Sequence, residues 1–195
     1  MNLRERKKAK TREALARVAI RLFIERGFDA TTIDEIAAGA GVSRRTFFRY
    51  YPSKEAVFFA DQEARMARFD AMVDEALPAV GAWEAVRDAL LHIAGEYLSD
   101  RVASLAWRSV LEQSPVLQAH DLRMDAIWEG KVRDALVRGG DDGFSASVRA
   151  GAMMGVVRAV LNLWYADGGR GDLASLGRTA FGLLEAGPLY TGRLA

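Results

Sequence analysis

Apolar positions recur at helical spacing along nearly the whole chain. Leu15, Val18, Ala19, Leu22 and Phe23 fall at i, i+3, i+4, i+7 and i+8, one stripe of a helix, and Gly27 follows where a left-handed residue ends a helix. Thr31 and Thr32 offer N-cap hydroxyls for a short second helix striped by Ile33, Ile36, Ala37 and Ala40, which Gly39 and Gly41 break after about two turns. Ser43 caps a third helix, with Phe47, Tyr50 and Tyr51 on one side and Arg44, Arg45, Phe48 and Arg49 on the other. Further stripes predict helices over 53–77, ending near Pro78, and over 82–99, 102–113, 115–138, 144–166 and 172–186. Their punctuation is GGDDG, GGRGD and the AGP of 186–188. No run alternates convincingly with a period of two, and no repeat or low-complexity segment is present, so the pattern predicts an all-α protein of about nine helices.

Composition narrows the class. With 195 residues, half of them apolar, the chain can bury one generous core or two small ones. The absence of cysteine excludes disulfides, thiolate metal sites and a cysteine nucleophile, and suits a reducing compartment. The opening MNLRERKKAKTRE has no apolar signal-peptide core, and the apolar run AGAMMGVVRAVLNLWYA is interrupted by Arg158. These features predict a cytoplasmic protein with no membrane partner.

Charge separates along the chain. Residues 1–60 hold 13 Lys/Arg against 7 Asp/Glu, net +6, and residues 61–195 hold 14 against 19, net −5. A basic leading segment is either a solvated tail or the footprint of a nucleic-acid surface. The third helix favours the second reading, because aromatics and arginines alternate on it in a way that neither a buried nor a freely solvated helix requires. Its outer face fits a major groove, where Arg44 or Arg45 can pair bidentately with guanine O6 and N7 and Arg49 can hold phosphate. Lys54 follows the cap Ser53 in the first turn of the next helix, where a cation opposes the helix dipole unless an anion such as a backbone phosphate binds there.

The run GFDATTIDEIAAGAGVSRRTFFRYYPSKEAVF resembles the N-terminal domain of TetR/AcrR-type transcriptional regulators. The match lies in Phe28 after the first-helix glycine, the TT–IA–AGVS core, the aromatic third helix and the Lys-Glu opening of the fourth. The resemblance implies an all-helical homodimer whose three-helix helix–turn–helix head, residues 1–52, joins an effector-binding and dimerisation body, residues 53–195. By position it makes Thr32, Ser43, Arg44, Arg45, Thr46, Phe48, Tyr50 and Lys54 DNA-contact candidates, with Phe47 and Tyr51 packing inward. Three positions depart from the family pattern. Phe48 stands for a usual tyrosine and cannot donate to phosphate, Arg45 stands for a usual small residue and adds reach and charge, and Tyr50 stands for a frequent histidine. The leading RERKKAK is read as a disordered, solvated arm in the free protein that could lie in the minor groove on DNA.

The body carries weaker signals. Trp107, Leu111, Met124, Trp128, Met153, Val157 and Trp164 are large enough to line an apolar pocket, with Arg108, His120, Arg158 and Asn162 as polar neighbours, although such stripes are more often plain core. The stretch WRSVLEQSPVLQAHDLRMDAIWEGKVRDAL resembles regulators that take long-chain acyl or acyl-CoA-like molecules. Gly151, Gly155 and Ala159 allow close helix approach, and Leu173, Leu176, Ala180 and Leu184 stripe the last helix, either for packing within the chain or for a dimer interface of the family's terminal-pair kind. No catalytic, metal or cofactor motif is present; an enzyme or a helical scaffold is the rival class, and neither accounts for the arginine-aromatic helix. The expected function is a ligand-responsive repressor that binds a double-stranded operator and is released by a small apolar effector.

Overall fold

A computed structural model describes residues 2–96 and 100–186. Among the described residues there are ten helices and no strand: α1 Leu3–Arg26, α2 Ile33–Gly39, α3 Arg44–Tyr50, α4 Lys54–Phe58, α5 Gln62–Val80, α6 Ala82–Gly95, α7 Arg101–Gln113, α8 Pro115–Arg138, α9 Gly143–Ala166 and α10 Leu173–Glu185. The end expected for the 82–99 helix and most of the AGP break at 186–188 lie outside the described residues.

The single helix expected over 53–77 is two. Val57, Phe58 and Phe59 are all buried, and three successive residues sweep about 200° around a helix, more than one packing face can cover. The chain turns at residues 59–61 and resumes as α5, which carries Pro78 in its last turn rather than ending before it. The basic leader also differs from expectation. Asn2 caps α1 by accepting from the Glu5 amide at 2.9 Å, while the Glu5 carboxylate accepts from the Asn2 amide at 2.9 Å, so RERKKAK forms the first turns of a 24-residue helix.

The chain divides into two compact units, the first comprising Met1–Glu63 with Ala106–Leu122 and the second Ala64–Leu105 with Arg123–Ala195. In the first, α1 packs on α2 and α4, and α2 on α3. The Phe23, Phe28 and Phe58 rings meet with centroids 5.0–6.3 Å apart, and Leu15, Ile36 and Phe47 are fully buried beside them. Each such side chain contributes about 1.5–3 kcal/mol by leaving water. The turn between α2 and α3 depends on Gly41, whose φ of 67° disfavours a side chain.

In the second unit Phe69, Val73, Val86, Leu90, Trp128, Leu136 and Met153 form one core, and α10 packs on α6 and α9. Lys131 with Asp70, and Arg138 with Asp74 at 3.2 Å, tie α8 to α5 at the surface. α9 is long and apolar enough by length and composition to cross a membrane, yet its Ala146, Ala150, Met153 and Trp164 are buried against the unit's other helices.

Candidate nucleic-acid interface

Thr32 is the N-cap of α2: its hydroxyl accepts from the Glu35 amide at 3.2 Å, and the Glu35 carboxylate returns to the Thr32 amide and hydroxyl at 2.8 Å. These bonds to Thr32, with the Arg26 guanidinium 2.9 Å away, hold the Glu35 carboxyl below its ordinary value. Its neighbour Thr31 is buried and turns the other way, donating to the Gly27 carbonyl at 2.8 Å. Ser43 caps α3 by accepting from the Thr46 amide at 3.1 Å, and the Ser43 and Thr46 hydroxyls are 3.0 Å apart. Each cap lies at a helix start, Thr32 fixing where α2 begins and Ser43 where α3 begins.

Phe47 and Tyr51 anchor α3 from below, 0% and 2% exposed. The Tyr51 hydroxyl donates to the Arg12 carbonyl at 3.2 Å, and burial raises the phenol above its ordinary value, keeping it a neutral donor. With those two rings locked, Arg45, Phe48 and Arg49 are exposed and Tyr50 is half-buried, its ring 5.2 Å from the Arg49 guanidinium. Arg44 is held more closely. Its Nη1 lies 2.7 Å from Asp34 Oδ2 on α2, and its guanidinium sits 5.6 Å from the Phe48 ring centroid. Asp34 was not legible as a site residue, since only the α2–α3 crossing brings it to Arg44, ten positions away.

Lys54 is placed differently from a phosphate-gripping side chain. Its Nζ donates to the Phe28 carbonyl at 2.7 Å and the Thr31 carbonyl at 2.9 Å, over the Phe28 ring. It closes the loop between α1 and α2.

The residues read as an effector pocket distribute over both units, and Trp164 of the second is fully buried beside Val160 and Leu173. Trp107, Arg108, Leu111 and His120 belong to the first. There Trp107 stacks on Phe58 at 4.8 Å, His120 stacks on Phe59 at 4.4 Å, Leu111 is buried, and Arg108 pairs with Glu112 at 2.6 Å. Met124, Trp128, Met153, Val157, Arg158 and Asn162 belong to the second. Trp128 meets Phe69 edge to face within the core, Met153 is fully buried, and Arg158 reaches toward Asp125 at 3.9 Å and Glu129 at 4.0 Å. Burial raises the Asp125 carboxyl, and Arg158 opposes that rise. Val157 borders an apolar cleft with Leu90, Leu161 and Phe181 of only about 10 Å³, too small for an effector. Among the described residues no group of three or more acidic, histidine or cysteine side chains is placed to hold a metal ion.

Of the interface candidates, Leu173 is buried within its own unit beside Val160 and Trp164. Ala159, Leu176 and Leu184 are exposed, while Gly151, Gly155 and Ala180 are half-buried. Val148, Leu163 and Leu183, which periodicity did not single out, stand exposed on the same two helices.

A capped two-helix turn with an aromatic-anchored, arginine-bearing second helix defines a helix–turn–helix DNA-binding regulator. Residues 15–60 match the family model described as bacterial regulatory proteins, tetR family, and residues 80–188 match that of the MftR C-terminal domain. The chain belongs to the TetR family of transcriptional regulators and is not an enzyme. It is 31% identical over 185 residues to a protein of Mycobacterium tuberculosis named for mycofactocin biosynthesis regulation, MftR, covering 93% of each chain. It is 31% identical to the regulator TcmR of Streptomyces glaucescens, covering 84% of this chain and 76% of that one. Among solved structures, Thermus thermophilus FadR, a repressor in complex with lauroyl-CoA, is 26% identical with a TM-score of 0.56, over 94% of this chain and 98% of that chain. NalD of Pseudomonas aeruginosa, a repressor of a multidrug efflux pump, shares the fold at 16% identity and a TM-score of 0.65, over 92% and 96%.

Proposed function

We propose that the protein is a cytoplasmic homodimeric repressor that places α3 of each protomer in successive major grooves and leaves its operator when an acyl-thioester-type molecule fills the body. The observation that carries the DNA half is the outer face of α3: Arg44, Arg45, Phe48 and Arg49 point outward because Phe47 and Tyr51 cannot. Arg45 is the base reader, Arg44 reads or grips beside it, Phe48 offers an apolar contact to a thymine methyl or sugar, and Arg49 and Tyr50 hold backbone. Thr32 and Ser43 approach phosphate at the helix starts they cap, and Thr46 does so beside Ser43. Lys54 acts indirectly, by fixing the loop that positions α2.

The effector class rests on the lauroyl-CoA bound by the 26% identical FadR and on the acyl-type resemblance of residues 107–136. The candidate lining residues are Trp107, Arg108, Leu111 and His120 within the first unit and Met124, Trp128, Met153, Val157, Arg158 and Asn162 within the second, Arg108 and Arg158 being the cation in each that suits an anionic head group. The dimer forms through the outward faces of α9 and α10, on which Gly151, Gly155, Ala159, Leu176, Ala180 and Leu184 are joined by Val148, Leu163 and Leu183. Leu173 supports α10 from inside. α9 is read as a core and interface helix, not a membrane span, since Arg158 sits within it and one face is buried.

A mobility-shift assay on the region upstream of the protein's own gene, with and without lauroyl-CoA, tests both halves. Retardation reversed by lauroyl-CoA is expected. Absence of retardation on that region removes the autoregulatory operator, and retardation indifferent to lauroyl-CoA removes the acyl-thioester effector.

A further inference from the structure

Arg4, Lys7, Lys8 and Thr11 fall at i, i+3, i+4 and i+7 of α1 and therefore share one face. Opposite them stand Arg49 and Tyr50 at the end of α3, and the two elements line an open groove of about 670 Å³. The groove's one carboxylate, Glu5, is committed to the Asn2 amide in the helix cap. Among the described residues, Arg4, Lys7, Lys8 and Arg49 have no carboxylate partner. Like charges one turn apart repel, so four cations around one groove are favourable only where an anion enters it. The capping box fixes their register, which a tail would not.

Helix geometry decides which part of a duplex enters. A helix with side chains is about 10–12 Å across, and the minor groove is about 6 Å wide, so α1 cannot insert there as an extended arm would. Continuity with α3 puts the groove beside the duplex that α3 reads. We propose that this groove is a second DNA contact, a seat for the sugar-phosphate backbone flanking the major-groove segment. Arg4, Lys7 and Lys8 neutralise phosphates from one side, and Arg49 and Tyr50 do so from the other. The proposal rests on the reading of α3 as the DNA-contacting helix and extends the footprint outward from it.

The test uses the full-length protein and a 40-bp duplex enriched by the wild type from a randomised pool. Affinity is measured over roughly 50–200 mM salt for the wild type and for Arg4→Gln/Lys7→Gln/Lys8→Gln, glutamine being a good helix former. Each phosphate contact contributes about 0.9 to the slope of log K against log salt, so the variant is expected to be shallower by about 2–3 per bound protomer with unchanged base preference. Arg4→Lys/Lys7→Arg/Lys8→Arg retains the charges and is expected to keep the wild-type slope, which separates charge from folding. On a duplex trimmed to the segment contacted by α3 the wild type and the glutamine variant are expected to converge. An unchanged slope in the glutamine variant overturns the proposal, as does a change confined to preference for particular flanking bases. If the wild type enriches no duplex, the reading of α3 fails as well; enrichment with an unchanged slope removes only the backbone seat.

Discussion

Two backbone carbonyls, those of Phe28 and Thr31, accept from the Lys54 ammonium, and the loop they belong to sets the angle at which α2 leaves α1. Lys54→Ala leaves both partly buried carbonyls without that donor and is expected to destabilise the protein by about 1–3 kcal/mol, read as a fall in the thermal midpoint. Operator affinity is expected to fall for all sequences alike while the salt slope holds. A slope lower by about 0.9 per protomer would instead put the ammonium on phosphate. Arg45→Ala is expected to behave differently, costing about 1–3 kcal/mol of discrimination at one base pair per half-site and little stability, as a comparison of substituted operators would reveal. Asp34→Ala frees Arg44 from an exposed ion pair worth no more than about 1 kcal/mol, so its effect belongs in base preference rather than in the melting curve.

At the scale of elements, the α2–α3 turn combines a residue that must tolerate positive φ with one that must be small. Gly41→Ala forces a side chain to a φ of 67° and is expected to cost about 1–2 kcal/mol. At Gly39 a Cβ would lie 2.7 Å from Val18 Cγ1, so alanine there pushes α2 off α1 unless Val18 rotates. The cap of α2 gives a pH dependence whose sign is fixed. Glu35 titrates below its ordinary 4.5 in the folded protein, so its stabilisation is complete above that value and fades as pH falls through the depressed one. Glu35→Gln is accordingly expected to lower the thermal midpoint at neutral pH and to narrow the gap between neutral and acidic midpoints, as calorimetry at both pH values would show. α1 to α3 were legible because their stripes, caps and glycines are local signals. The α4–α5 break was not, since the stripe over 53–77 runs on and only the burial of Val57, Phe58 and Phe59 together forbids a single helix. The helical leader was misread for another reason: its composition suggested a tail, although the Asn2-to-Glu5 spacing of a capping box was present in the sequence.

For the whole molecule, the separation of +6 in residues 1–60 from −5 in the remainder favours approach to DNA through the leading segment and disfavours it through the body. Assembly is expected to depend on the outward faces of α9 and α10. Outside its own helix backbone a Cβ at Gly155 meets nothing within 4 Å, so the side chain of Gly155→Leu starts into open space and is expected to obstruct what packs on that face. Sedimentation is expected to show the variant as a monomer at concentrations where the wild type is dimeric, with operator affinity reduced accordingly. Exposure is what periodicity alone could not assign: Leu173, on the stripe of the last helix, is buried within its own unit, while Leu163 and Leu183 stand exposed. The chain has four tryptophans, and Trp107 is the one assigned to the unit that carries α3; Trp83, Trp128 and Trp164 belong to the other. Trp107 lies against Phe58 at 4.8 Å and Phe59 at 5.8 Å, one ring on each side of the point where α4 ends. A chain with the other three indoles replaced by phenylalanine therefore carries a built-in optical probe of that joint, whose emission colour and lifetime follow any shift of α4 as DNA or effector is added.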